Sequence, residues 1–209
     1  KPTVGSAGTG ISYHGGNVMV SGITVYPIWY GTISASTKSI ISGFLANVGG
    51  SPYFNINTTY TDASGASVKT SVKLSSSSYS VASTAYGTTL SDANIVNLVN
   101  DGIASTDTSN QLPNDPNGFY LVITDPNIGE SSGFLTSYCG WHNVTTVGSS
   151  AIKYSFVGDP TKGMGSCAAQ TTSPNGNAQA DAMVSVIAHE LEEAATDPEL
   201  SAWWDNRGY

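Results

Sequence analysis

The chain has 209 residues, a formal net charge of −8, 39% hydrophobic residues and charge at only 11% of positions. Seven basic residues in no cluster exclude an electrostatic binder of nucleic acid or anionic membrane. No apolar run reaches the ~20 residues of a membrane helix, and the hydrophobic fraction excludes a disordered chain.

The length suits a single domain over 1–209, large enough to bury a core without metal or disulfide staples. Residues 1–16 are rich in Gly and Ser and end in His14-Gly15-Gly16, an N-terminal arm closing in a turn with His14 at the surface. Beginning at Lys1 without a signal peptide, the chain reads as a mature form whose leader has been removed, with a cytosolic protein as the alternative. β-Branched and aromatic residues around Gly22 predict strands over 18–20 and 23–30, with Pro27 marking an edge or a bulge. Ile40, Ile41, Phe44, Leu45 and Val48 then recur at helical spacing, and Gly49-Gly50 ends that helix. Strands are predicted over 53–60 and 67–74, joined by a hairpin connection at Asp62-Ala-Ser-Gly65. The run SSSSYS reads as loop or polar strand. Ser91 caps a second helix bearing Ile95, Leu98, Val99 and Ile103 on one face.

The turn Asn114-Asp115-Pro116-Asn117-Gly118 leads into FYLVIT, whose unbroken apolar run predicts a central buried strand. A strand or hairpin is expected around 134–137 and another strand over 152–157. Residues 158–178 form a loop holding Cys167, and a last helix runs over 179–196, ended by Pro198. Cys139 and Cys167 allow one disulfide, which the low-charge, Ser/Thr/Asn-rich composition of a secreted protein favours over two buried thiols. Asn57 and Asn143 begin Asn-x-Thr sequons, candidate glycosylation sites. Helices interleaved with strands predict an α/β (α+β) fold, a mixed sheet packed by helices.

The most informative stretch is His189-Glu190-Leu191-Glu192-Glu193. Five glutamates occur in the whole chain, and four (Glu190, Glu192, Glu193, Glu199) lie here. Met183, Val184, Ile187, Leu191, Ala194 and Ala195 make one apolar stripe of the last helix. His189 and Glu193, four apart, lie one above the other on another stripe, with Glu190 about 100° round from His189. The pattern is that of His-Glu-x-x-His zinc peptidases with Glu193 in place of the second histidine, a zincin-like helix. An imidazole and a carboxylate on successive turns can share one Zn2+, and Glu190 is then placed as general base. A carboxylate ligand also leaves room for other divalent ions. Three acidic residues near a helix C-terminus oppose the helix dipole, a cost that a solvated face has no reason to accept. The third ligand is left open among Glu199, Asp197, Asp205, His142 and residues beyond 209. Beside the expected disulfide, His142 reads first as a structural or a substrate- or oxyanion-facing histidine, ahead of ligation.

Five blocks carry a family resemblance: His14-Gly-Gly-Asn-Val-Met, Ile23-Thr-Val-Tyr-Pro-Ile-Trp-Tyr-Gly31, Asn117-Gly-Phe-Tyr-Leu-Val-Ile-Thr124, Cys139-Gly-Trp-His142, and Met183-Val-Ser-Val-Ile-Ala-His-Glu190 continuing to Pro198. Occurring in the family's order over most of the chain, the set resembles the EXORDIUM, or phosphate-induced protein 1, family. The resemblance implies an extracellular protein of the apoplast or cell wall linked to growth, and relatives share His-Glu-x-x-Glu. They usually continue past this helix with an acidic, Cys- and Gly-rich segment, which implies that this chain is truncated or processed at its C-terminus. Trp203 and Trp204 would then pack against that segment or a partner chain.

Together these features predict a secreted zinc metallopeptidase acting on a peptide or cell-wall substrate. His189 and Glu193 hold the metal, and Glu190 and His142 act on the substrate. The alternatives are a non-enzymatic cell-wall or growth-signalling protein and a carbohydrate-binding module, for which four Trp and eleven Tyr supply stacking surfaces.

Overall fold

The structure is a computed structural model, and it describes residues 10–205. Most of the N-terminal arm and residues 206–209 lie outside that range. The expected mixed α/β architecture is observed. In chain order the main elements are β1 (Ile11–Tyr13), β2 (Ile23–Tyr30), α1 (Ala35–Asn47), a 3-10 helix (Phe54–Thr59), β3 (Val72–Leu74) and β4 (Tyr79–Val81). There follow β5 (Thr89–Leu90), α2 (Asp92–Ala104), β6 (Gly118–Thr124), β7 (Gly129–Glu130), β8 (Gly140–Val147), β9 (Ser150–Val157), α3 (Met164–Cys167), α4 (Ala178–Thr196) and β10 (Trp203–Asp205).

The main sheet runs β3-β2-β6-β9-β8, with β4 continuing the β3 side of β2. All its pairs are parallel except β8 against β9. Side chains alternate along the central strands. Val25, Trp29, Phe119, Leu121 and Ile123 face one core with Ile41 and Leu45 of α1 and Met183, Ile187 and Leu191 of α4. Tyr26, Ile28, Tyr30, Tyr120 and Val122 face a second core with Ile95, Leu98 and Val99 of α2. The sheet is therefore sandwiched between helices, and β6 is buried along its whole length, as its sequence predicts.

Pro27 lies inside the sheet, not at its edge. β3 pairs Ile23 to Val25 and β4 pairs Ile28 to Tyr30, so the gap between them falls at Tyr26-Pro27, where a missing N–H is tolerated. The predicted strand over 53–60 is the 3-10 helix instead. Asn57, Thr58 and Thr59 side chains donate to the carbonyls of Phe54, Asn55 and Ile56, three residues back, and such local bonds compete with strand pairing. Residues 18–20 form no strand; Val18 and Met19 are buried, and Met19 N–H donates to Ala195 O of α4. The strand expected over 67–74 is confined to β3, and that expected around 134–137 is a turn with a single Phe134–Tyr138 bridge.

Cys139 and Cys167 are joined by a disulfide spanning 28 residues, which ties α3 to the start of β8. Replacing both by Ser is expected to lower stability by about 3.5 kcal/mol, the chain-entropy value for such a loop, read as a fall in Tm.

Candidate active site at the α4–β8 junction

Asn177 starts α4 by accepting from Ala180 N–H, and Asp181 sits in the first turn, where the helix dipole favours a carboxylate. The apolar stripe buries Met183, Ile187, Leu191, Ala194 and Ala195 against the sheet, as its periodicity requires. His189 and Glu193 are left facing outward beside β8, the edge strand. Gly140 permits this approach: a Cβ there would lie 2.6 Å from Val186 Cγ1 and 2.9 Å from Phe156 O.

Glu193 stands between two imidazoles. His189 Nε2 lies 3.1 Å from its Oε1 and His142 Nε2 lies 3.5 Å from its Oε2. His142 comes from β8, where register places it opposite Ser155 of β9. Burial depresses the His142 basicity despite the nearby Glu193 and Asp197 charges, and its Nδ1 is buried without a hydrogen-bond partner. The hydrogen bond to Glu193 raises His189 to a pKa of about 9. For Glu193, burial pushes upward, but the His189 hydrogen bond and the two imidazoles outweigh it and hold the carboxyl below its usual range. Glu190 is buried, and desolvation, reinforced by Glu193, raises it to about 8.

These groups border a cleft of about 730 Å³ whose walls include Tyr138, His142, His189, Glu193, Leu200 and Trp204. Glu190 opens on an adjoining depression of about 400 Å³ beside the disulfide.

The other residues proposed as third ligand are engaged elsewhere. Glu199 pairs with Lys153 at 3.4 Å and accepts from Asn17 Nδ2. Asp197 Oδ1 accepts from Ser201 and Ala202 N–H at 2.6 Å each, fixing the turn after α4. Asp205 is buried in β10, beside Gly10. His142 is the one brought to Glu193. Among the described residues, no group of three or more His, Cys, Asp or Glu side chains is arranged to hold a metal ion. The reason is visible in the trio: each imidazole meets a different oxygen of Glu193.

Donors around a tetrahedral zinc at 2.0–2.1 Å stand about 3.3 Å apart. The two N–O separations are of that order, but they run to different oxygens of Glu193 and do not form a three-donor set. The unpartnered His142 Nδ1 departs from the pattern, since metal-bound histidines usually donate their second N–H.

Trp203 and Trp204, expected to pack on a further segment or a partner chain, have packing partners within the described residues. β10 pairs with β1, Trp203 packs on Tyr13 and edge-on to Tyr60 while its N–H donates to Thr61 O, and Trp204 stacks on His14 at 3.6 Å. Asn57 is buried, and its amide donates to Phe54 O and reaches Glu192, so a glycan on that nitrogen would displace both contacts. Asn143 is only half-buried on β8. No helix among the described residues is long and apolar enough to cross a membrane.

Fold and site define an α/β protein with a histidine–glutamate cleft where helix α4 meets an edge strand. Residues 11–208 match the phosphate-induced protein 1 conserved region, and the chain belongs to that family. It is 32% identical over 222 aligned positions to Protein EXORDIUM-like 3 of Arabidopsis thaliana, covering 93% of this chain and 64% of that protein. It is 31% identical over 221 positions to EXORDIUM-like 5 of the same plant, covering 93% and 59%. The chain thus spans less than two thirds of the length of these relatives. No solved structure matches it.

Proposed function

We propose that this chain is the hydrolytic domain of a secreted, metal-dependent peptidase. The observation that carries this reading is the meeting of His142 from β8 with His189 and Glu193 from α4 at one cleft. These three would hold a divalent ion, zinc by donor chemistry. A zinc ion there would polarise a scissile carbonyl and activate water. Glu190, one residue from His189 and buried beside the cleft, would carry the proton between water and leaving amine. His142 thereby moves from substrate contact to ligand. The disulfide supports an oxidising, extracellular setting, which the family resemblance also implies.

Calorimetric titration of chelator-treated protein with zinc tests the site. One site per chain is expected, lost in His189→Ala and Glu193→Ala and weakened at least tenfold in His142→Ala. A wild-type protein that takes up no zinc at micromolar concentration would refute the reading. The second reading, a non-enzymatic extracellular protein linked to growth, is favoured by the lack of a ready three-donor group among the described residues.

A further inference from the structure

Four large apolar side chains among the described residues are strongly exposed: Ile11 (41%), Tyr53 (45%), Leu200 (51%) and Ile56 (61%). Singly such exposure is ordinary, but a cluster of exposed apolar groups marks a binding surface. All four fall beside the site. Leu200 lines the main cleft, and Ile11, Tyr53 and Ile56 line a second depression of about 320 Å³. The two depressions share His189, Glu193, Thr196 and Trp203, so they are arms of one groove running across the His–Glu pair. Leu200 also holds a φ of 55°, a left-handed conformation uncommon for a residue other than Gly, Asn or Asp. The turn fixed by Asp197 keeps it there. Strain of that kind collects at binding sites.

The chemistry of the surface selects its occupant. Of the aromatic rings here, Trp203 is packed against Tyr13 and Tyr60 and Trp204 has one face covered by His14, while the exposed Tyr53 shares the second depression with Ile11 and Ile56. The freely exposed surface is mainly branched aliphatic: Ile11, Ile56 and Leu200. The second depression is also rimmed by Glu192 and Glu193, which repel a carboxylate. We infer that the groove binds an extended peptide, with an uncharged aliphatic side chain of Leu, Ile or Met size seated on Ile11, Tyr53 and Ile56. The inference rests on the peptidase reading for its direction, since it names the substrate of that site.

Binding of a positional-scanning library of fluorescein-labelled hexapeptides, read by anisotropy on Glu190→Gln protein, tests it without requiring turnover. At one position Leu is expected to bind about tenfold tighter than Ala, and Glu weakest. Ile56→Ser, an exposed substitution that leaves the fold intact, should abolish that Leu preference. If Leu, Ala and Glu peptides bind alike, or Ile56→Ser leaves the preference unchanged, the inference falls even where the wild type cleaves peptides. If the Leu preference depends on Ile56 but zinc-loaded wild type cleaves no peptide of the library, the groove stands and the peptidase reading falls. Tight binding of a cellohexaose or xylohexaose probe with no peptide binding would overturn the inference in favour of a glycan.

Discussion

Glu190→Gln is expected to cut peptide turnover about 10³-fold, within the range for losing a general acid–base group, while zinc uptake and Tm stay at wild-type values. The amide is isosteric with the carboxyl, so it keeps the buried shape and loses only the capacity to carry a proton. A uniform fall in kcat with unchanged KM would place Glu190 on the reaction rather than on binding. Full activity in this variant would remove it from the mechanism, and loss of zinc with loss of activity would make it a ligand instead.

The largest effect on stability is expected at Phe156→Ala, about 3–5 kcal/mol by urea denaturation. Phe156 is fully buried in β9, meets Phe134 edge-on at 5.3 Å, and lies opposite Trp141 of β8 in the ladder. The cavity would open in the α2-side core beside Trp141, the β8 neighbour of His142. A variant still folded should therefore also bind zinc more weakly, whereas an equal loss of stability placed against α2, as with Leu98→Ala, should leave zinc binding unchanged. Equal effects of both on zinc would deny β8 its special part.

The elements legible in the sequence are those that carry their own local reasons. α1, α2 and α4 combine helical spacing with Ser34, Ser91 and Asn177 as caps, and β6 is apolar without a break. What escaped was β8. Its residues are half-buried and mostly polar, so no alternation announces a strand, although Gly148-Ser149 before Ile152 is a two-residue hairpin signal. The site divides along the same line. His189, Glu190 and Glu193 belong to one helix and could be placed by arithmetic. The approach of His142 depends on β8–β9 register and on the small size of Gly140, neither of which spacing along the chain encodes. Glu199 had favourable spacing but is drawn away by Lys153, a partner fixed only by the tertiary fold.

The pairing of β1 with β10 has a consequence for the order of folding. Ile11 and Asp205 are neighbours in the ladder yet stand at opposite ends of the described chain. Closing so long a loop from the unfolded state costs about 3 kcal/mol more than closing one of ten residues, with nothing local to offset it. That ladder should form late, after the central sheet and α4 have docked. It also carries Trp203 and Trp204, which complete the wall of the cleft. A chain still emerging during synthesis would therefore hold the histidines and glutamates without the wall that encloses them, and the cleft would be complete only when the first and last described strands meet.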